Sequence, residues 1–260
     1  MLPRLPWQSF IPRYRWTDMD EEEYRKLAAV EDAMWYFRAL HAHIGRELAA
    51  RLPAGPARIL DAGCGTGGLI RRLGPLRPEW QWTGVDLSPL ACQLARERGV
   101  ADVREASVTA LPFSDGEYTA VVSADVLYHL EDDEAALREM ARVLRPGGIA
   151  VINVPAHRWL WSYHDVAVSG RRRYTRAELA GKVQRAGLTT LRLTHWNTVL
   201  LPFIAARRKL WPAPRGGSDV KLAAPWVETT LSGVMSVESA WMQNAGDLPM
   251  GSSILAVARC

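Results

Sequence analysis

The sequence has few cysteines, no long apolar run and little net charge. Its three cysteines are not spaced as metal-ligand pairs, so we expect no metal site and a reduced, cytoplasmic interior. Arg4 and several prolines near the amino terminus, without an apolar core, predict no secretion signal. The longest apolar run, residues 196–206, is about half of the roughly 20 residues that cross a bilayer, so we expect no stable membrane insertion. A formal charge of +4 is too small for a nucleic-acid-binding surface, which excludes nucleic acid as an expected partner.

The chain alternates short β-rich runs with helical patterns. The predicted strands are residues 58–62, 82–86, 102–105, 120–123, 149–154, 188–194 and 253–258. Because parallel strands need crossover connections, this alternation predicts an α/β fold, a mostly parallel sheet with helices on both faces. Apolar positions at helical spacing predict a helix over residues 31–52. The expected organisation is a helical cap (1–52), a core (53–197), a lid inserted before the last strand (198–250) and the last core strand (251–260).

A strand that runs into a glycine-rich turn is the strongest local pattern. It reads Asp-Ala-Gly-Cys-Gly-Thr-Gly-Gly from Asp61. Glycines let a ligand approach the backbone closely. Gly63, Gly65 and Gly68 also have the spacing of a dinucleotide-binding turn, and Asp86 follows about 20 residues later, where a ribose ligand would stand. On this turn alone, a nicotinamide or flavin oxidoreductase stays open.

Four segments resemble the class I S-adenosylmethionine-dependent methyltransferases, in particular the ubiquinone/menaquinone-methylase-like group. The resemblance spans about residues 57–190, and the segments are residues 61–67, 85–89, 105–113 and 144–148. The last, Leu-Arg-Pro-Gly-Gly, precedes the family's fifth strand and has no place in the dinucleotide fingerprint, which favours a methyltransferase over an oxidoreductase. Residues 253–258 resemble the family's antiparallel last strand. The resemblance therefore implies a Rossmann-like sheet of seven strands.

The resemblance implies S-adenosylmethionine as cofactor. Asp86 is expected to accept hydrogen bonds from both ribose hydroxyls, which suits the two oxygens of a carboxylate. Ser107 stands where members often carry an Asp toward the adenine amino group. Residues 31–38 resemble a helix of bacterial members, so Tyr36, Phe37 or Arg38 is expected at the methionine part of the cofactor. An ion pair to Glu31 or to a neighbouring residue is the alternative for Arg38. The expected cofactor contacts are Asp61, Gly63, Cys64, Gly65, Asp86, Leu87, Ser107, Val108, Ala124, His129, Phe37 and Arg38.

Methyl transfer from a sulfonium is an in-line displacement that depends mainly on positioning. A hydroxyl acceptor also needs a base, whereas a carboxylate needs little help. Candidates follow the fourth and fifth predicted strands, where the reacting atoms are expected, and helix capping is the alternative for His129. The expected catalytic residues are His129, His157, His164 and Asp165.

The aromatic and basic segment after Pro155 is expected to bind the acceptor. Alternating aromatic residues in an extended segment would share one face and form an apolar wall, with a packed hairpin as the alternative. An arginine from the run 171–173 would clamp a carboxylate or phosphate, with solvated surface arginines as the alternative. The expected acceptor-binding residues are Trp159, Trp161, Tyr163, Arg172 and Trp196.

The sequence thus predicts a methyltransferase that acts on an oxygen of a small or medium-sized acceptor, such as a natural product, a peptide, a glycan or a lipid. N-methylation and a cyclase-like reaction on the same fold stay as alternatives. Residues 124–127 read Ala-Asp-Val-Leu, which disfavours the methylases of DNA and glutamine because those carry an Asn/Asp-Pro-Pro-Tyr-type motif there. The acceptor and the oligomeric state stay open.

Overall fold

The protein is described by a computed structural model over residues 21–211 and 218–260, and within these ranges seven strands form one sheet. In chain order the strands are β1 (Ala57–Ala62), β2 (Trp80–Asp86), β3 (Val103–Glu105), β4 (Tyr118–Ala124), β5 (Leu144–Pro155), β6 (Thr189–Trp196) and β7 (Ser253–Arg259). They lie in the order β3-β2-β1-β4-β5-β7-β6, with β1 to β5 parallel and β7 antiparallel between β5 and β6. This topology confirms the predicted Rossmann-like sheet.

Helices cover both faces of the sheet. They are α1 (Glu21–Val30), α2 (Trp35–Arg51), α3 (Gly68–Leu73), α4 (Pro89–Glu97), α5 (Asp133–Val143), α6 (Tyr163–Ala167), α7 (Arg176–Arg185), α8 (Leu201–Leu210) and α9 (Pro225–Asn244). Leu60 and Val121 belong to the cluster that contains α5 and α7, whereas their neighbours Ile59 and Val122 belong to the cluster that contains α2 and α9. Because successive strand residues face opposite sides, the central strands are buried along almost their whole length.

Two predicted boundaries are wrong. The helix predicted over residues 31–52 begins only at Trp35, as α2, because the chain turns after α1 and Met34 is extended (φ −65°, ψ 129°). β5 begins at Leu144 instead of residue 149, since Leu144 already pairs with Tyr118 of β4 and the backbone N–H of Gly147 donates to the carbonyl of Cys260 at 2.9 Å. The turn 144–148 is therefore part of the strand.

The segment predicted as a lid contains α8 and α9. α9 lies along α2 and buries Met235 and Met242 in the same cluster as Ile59. Its Glu238 accepts from the backbone N–H groups of Thr198 and Val199 at 2.8 and 3.0 Å, which fixes the turn that leads into α8. α9 is thus part of the hydrophobic core as well as a cover. Across residues 21–211 and 218–260, no helix has the length and apolar content needed to span a membrane.

Candidate active site

One large cavity opens along the carboxyl edge of the sheet, where the fold predicts ligand binding. Its volume is about 670 Å³, within the range of small-molecule sites. The loops after β1 and β2 form one end, which we call the loop end (residues 61–65 and 86–87). The other end, which we call the lid end, is formed by residues of three segments, namely His164, Asp165, Val168, Ser169, Arg173, Phe203, Ile204, Arg207, Arg208, Asp219, Val220 and Lys221. α1 and α2 also contribute to the wall.

The loop end is built from backbone that requires glycine. Gly63 has a φ of +89°, and a Cβ at this position would lie 2.3 Å from a methyl carbon of Val126. The N–H groups of Gly63 and Cys64 both donate to the carbonyl of Val85 at 2.8 Å, which ties the turn to β2. A larger residue would push the loops after β1 and β4 apart, so Gly63 is needed for packing as well as for close approach of a ligand.

Asp86 ends β2 with its carboxylate in the cavity wall. Oδ2 accepts from the N–H of Gly65 and Oδ1 from the N–H of Ser88, both at 2.9 Å. The hydroxyl of Tyr24, on α1, donates to Oδ1 over a longer distance of 3.4 Å. Burial raises the pKa of Asp86, and these donors oppose the shift. Each oxygen keeps acceptor capacity, so the carboxylate can accept from both hydroxyls of a vicinal diol.

Asp61, at the end of β1, is 1% exposed and lines the cavity. Within the described residues its Oδ1 has no hydrogen-bond partner. Burial, together with the negative charges of Asp86 and Glu31, raises the pKa of Asp61 to about 8. A buried carboxylate without a partner is costly. Asp61 therefore fits the ammonium group of an amino-acid moiety, whose charge would stabilise the ionised carboxylate.

α1 is fixed over the glycine turn by a buried ion pair. Glu31, which follows α1, accepts from Arg98 and from the hydroxyl of Thr66, and Arg98 donates to the carbonyl of Thr66 at 2.9 Å. Leu27 reaches within 3.5 Å of the position of a Cβ on Gly65. Tyr24 and Leu27 could not be predicted as parts of the site from the sequence, because a short helix before the first motif carries no distinguishing pattern.

All the expected cofactor contacts line the cavity except Arg38. Arg38 is exposed on α2 and lies outside the cavity lining, so its expected contact with the cofactor is corrected; Glu31, one of the ion-pair partners expected as the alternative, pairs with Arg98. Ser107 lines the cavity, but its Oγ also accepts from the N–H of Thr109 at 3.2 Å, which shares the hydroxyl with a local turn. Leu87 lines the cavity and is 55% exposed, so its apolar side chain is available to pack against a planar ring.

Residues 60–152 match the protein family described as "Methyltransferase domain". They run from β1 to β5 and carry both Asp61 and Asp86. Residues 60–152 therefore form a methyltransferase domain, and such a domain implies S-adenosylmethionine as cofactor. The loop end fits this cofactor, since Asp86 suits its ribose diol and the unpartnered oxygen of Asp61 suits its ammonium group.

The methyltransferase domain is similar to that of curated relatives. The chain is 38% identical over 133 residues to the demethylmenaquinone methyltransferase of Thermus thermophilus, covering 49% of this chain and 57% of that protein. It is 35% identical over 141 residues to the ubiquinone biosynthesis O-methyltransferase of Xanthomonas oryzae pv. oryzae, covering 49% and 58%. The match thus spans little more than half the length of these relatives. Among solved structures, the cyclase SpnF has the same fold, with a TM-score of 0.55 at 23% identity over 84% of this chain and 79% of that chain.

Next to the cofactor pocket of the methyltransferase domain, β4 leads into a buried polar network. Asp125 has a φ of +55°, and its carboxylate accepts from the hydroxyl of Tyr36 at 2.8 Å and from Nδ2 of Asn153 at 2.9 Å. Burial raises the pKa of Asp125 to about 6. Both Tyr36 and Asp125 line the cavity. Tyr36 was expected at the cofactor from the sequence, but Asp125 had no predicted function, because its position beside Tyr36 depends on a contact across 89 residues.

Trp196 does not bind an acceptor. It is fully buried and lies outside the cavity lining, so this expectation is corrected. Its Nε1 donates to Oδ1 of Asn153 at 2.8 Å, and its ring stacks on Tyr36 at a centroid distance of 5.1 Å. Trp196 therefore holds the groups that surround the Asp125 carboxylate.

His129 and His164 line the cavity as neutral imidazoles. Nδ1 of His129 lies 3.2 Å from the carbonyl of Ser169, which can only accept, so Nδ1 carries the proton and Nε2 keeps a lone pair. Burial lowers the pKa of His129 to about 4. Nδ1 of His164 accepts from the N–H of Asp219 at 3.1 Å, and burial and Arg208 hold its pKa well below the ordinary value. His129 can accept a hydrogen bond, whereas His164 presents only a donor, which corrects its expected role as a base.

Asp165 and His157, the other expected catalytic residues, have structural roles. Asp165 lines the cavity, but Oδ1 accepts from Nε of Arg173 at 2.7 Å and Oδ2 from the N–H of Ser162 at 2.9 Å, which caps α6. His157 lies outside the lining and stacks on His195 at 5.0 Å. Neither residue is placed to take a proton from an acceptor in the cavity.

The expected aromatic wall is wrong because its segment is not extended. Residues 158–160 form a 3₁₀ turn, and α6 follows. Trp159 is exposed, Trp161 lines a separate, smaller cleft, and Tyr163 is buried with its hydroxyl donating to Asp219 at 2.8 Å. None of the three lines the cavity.

Arg172 is not the expected anion clamp. It donates to the carbonyls of Leu130 and Glu131 at 3.0 and 2.8 Å, which anchors the loop after β4 outside the cavity. Three other arginines line the lid end, namely Arg173, Arg207 and Arg208. Across the two described ranges, no group of three or more His, Cys, Asp and Glu side chains could hold a metal ion.

Proposed function

We propose that this protein transfers the methyl group of S-adenosylmethionine to an oxygen atom, a hydroxyl or a carboxylate, of a small or medium-sized acceptor such as a natural product, a peptide, a glycan or a lipid. The observation that carries the proposal is the cavity itself, because one space joins the cofactor pocket at Asp61 and Asp86 to the lid end. The bound cofactor supplies an electrophilic methyl group on a sulfonium. The similarity to an O-methyltransferase of Xanthomonas oryzae supports oxygen as the acceptor atom.

The residues of the loop end position the cofactor. Asp86 would accept from the ribose hydroxyls and Asp61 from the ammonium group, while Leu87 and Val108 would cover the adenine. α1 and α2 close the pocket and exclude water from the reacting end. Displacement requires the reacting atoms to be held in line and within about 3–3.5 Å of each other. Rigid cavity walls around the cofactor and the acceptor therefore supply most of the catalysis.

Asp125 is the proposed proton acceptor for a hydroxyl substrate. Its pKa of about 6 leaves the carboxylate mostly ionised at pH 7, and each of its oxygens keeps acceptor capacity beside the bonds from Tyr36 and Asn153. His129, whose pKa of about 4 makes it the weaker base, would accept a hydrogen bond that orients the acceptor. A carboxylate substrate is already ionised and would not need Asp125.

The test incubates the full chain with S-adenosylmethionine carrying a labelled methyl group and with a panel of phenols, fatty acids and amines. Labelled ethers or esters, formed together with S-adenosylhomocysteine, would support the proposal. Label on nitrogen alone would refute the choice of oxygen. Asp125→Asn should lower kcat for phenols by about 10²–10⁴ while carboxylates change less than about tenfold. Tyr36→Phe is the variant matched to Asp125→Asn. It removes one hydrogen bond to the Asp125 carboxylate and keeps the aromatic ring.

Cyclase-like chemistry is the second candidate, because SpnF has the same fold. In that case the acceptor would rearrange while no S-adenosylhomocysteine forms. Following cofactor and acceptor by mass spectrometry in the same incubation separates the two reactions.

A further inference from the structure

The lid end is lined by several cations. Arg173 lies between β5 and α7, Arg207 and Arg208 lie on α8, and Lys221 precedes α9. We call Arg173, Arg207 and Arg208 the arginine cluster. The mechanism proposed above uses none of them, and no sequence motif singled out α8.

Arg208 is the buried member of the cluster whose Nε lacks a hydrogen bond within the described residues. Its side chain is 12% exposed, and its ion pair with Asp219 spans 3.5 Å from Nε to Oδ2. Within the described residues, Nε makes no hydrogen bond. Burial and the nearby Arg173 lower the pKa of Arg208, and the charges of Asp165 and Asp219 only partly oppose this shift. A buried guanidinium in this state gains from any anion that reaches it.

The two carboxylates at the lid end are already engaged. Asp165 accepts from Arg173 at 2.7 Å and caps α6. Asp219 accepts from the hydroxyl of Tyr163 at 2.8 Å and is the carboxylate nearest to Arg208. His164 is neutral and adds no charge. Among the described residues, positive charge therefore exceeds negative charge at this end of the cavity.

The wall beside the arginine cluster is apolar. Leu200 and Ile204, on or next to α8, and Leu231 of α9 line the cavity, and Phe203 adds a large exposed ring. A ligand that is complementary to the lid end would combine an apolar body with an anionic group. The planar guanidinium fork matches the oxygens of a carboxylate or phosphate.

We propose that the acceptor is an amphipathic anion, whose carboxylate or phosphate binds Arg208 at the lid end while its apolar body packs against α8 and α9. This inference rests on the proposed function, since it names the class of molecule that shares the cavity with the cofactor.

The test is calorimetric titration of the full chain, saturated with S-adenosylhomocysteine, with octanoate, octyl phosphate and octanol. At least one of the two anions should bind about tenfold or more tightly than octanol, and the comparison of octanoate with octyl phosphate identifies the anionic group. Arg208→Gln should lose about tenfold in anion affinity and leave octanol unchanged. Lys209→Gln is the matched control, because Lys209 is the next residue of α8 and donates to the carbonyl of Trp161 away from the cavity lining.

Octanol binding as tightly as both anions, or equal anion affinity of Arg208→Gln and Lys209→Gln, would overturn the inference. Arg208→Lys keeps the positive charge but loses the planar guanidinium group. An anion affinity between those of the wild type and Arg208→Gln would show a lost contact and not a folding defect. The affinity for S-adenosylhomocysteine, measured on every variant, reports whether the pocket is intact. Anion preference without any methyl transfer would refute the proposed function alone, and methyl transfer without anion preference would refute this inference alone.

Discussion

Asp61→Asn should uncouple cofactor binding from proton release. In the free protein, burial and neighbouring carboxylates raise the pKa of Asp61 to about 8, so about nine tenths of the side chain is protonated at pH 7. The cofactor's ammonium group would favour the ionised form. Binding should therefore release about one proton at pH 7 in the wild type and none in Asp61→Asn.

The sign of the pH dependence follows from the same shift. Because the free state holds a proton that the bound state gives up, the affinity should rise with pH from 6 to 7, by up to about tenfold, or about 1.4 kcal/mol. Asp61→Asn should be weaker in binding and nearly independent of pH over this range.

The free energy of unfolding, measured without cofactor, should change with pH in the opposite direction to the cofactor affinity. The folded pKa of Asp61 lies above the unfolded value, so the unfolded state binds fewer protons between pH 4 and 8 and stability falls as the pH rises through this range. Relief of this cost should raise the free energy of unfolding of Asp61→Asn at pH 7 by about 2–4 kcal/mol.

The assay is calorimetric titration with S-adenosylhomocysteine at pH 7 in phosphate and in Tris, whose ionisation enthalpies differ. The dependence of the observed heat on the buffer gives the number of protons released. Asp115→Asn is the control, since Asp115 lies outside the cavity lining and pairs with Arg142. Absence of proton release in the wild type, or unchanged affinity in Asp61→Asn, would refute this account of the pocket.

Three further substitutions test other parts of the structure. Gly63→Ala places a Cβ 2.3 Å from Val126, so it should weaken cofactor binding at least about tenfold and destabilise the chain by about 1–3 kcal/mol, as measured by titration and urea unfolding. Trp196→Phe removes the hydrogen bond to Asn153 and should lower the free energy of unfolding by about 1–3 kcal/mol in urea titrations. Arg172→Gln should leave the acceptor KM within about twofold of the wild type, because Arg172 binds loop carbonyls outside the cavity; a KM rise as large as that of Arg208→Gln would contradict its placement.

The loop end was predictable because its chemistry is local in sequence. Asp61 and Gly63 lie within one turn, and Asp86 ends the next strand, so spacing alone brings them to one edge of the sheet. The strands could be predicted from the sequence for a similar reason. A parallel strand that is buried on both faces appears in the sequence as a short, continuous β-rich run.

The lid end could not be predicted from the sequence in the same way. Its residues come from segments that lie far apart in the chain. In a run of arginines, tertiary packing decides which side chain faces the cavity. Arg172 and Arg173 are neighbours in sequence, but one binds loop carbonyls and the other enters the cavity wall. The aromatic wall failed because a 3₁₀ turn and the Ser162 cap replace the extended segment that alternation assumes.

The central claim is that the cavity binds S-adenosylmethionine through Asp86. The most direct measurement is calorimetric titration of the wild type and Asp86→Ala with S-adenosylmethionine, S-adenosylhomocysteine and NADH. The account predicts affinities near the micromolar range for the first two ligands, about 8 kcal/mol, a large loss in Asp86→Ala, and no binding of NADH. Binding of NADH alone would contradict it and would make the glycine turn a dinucleotide site.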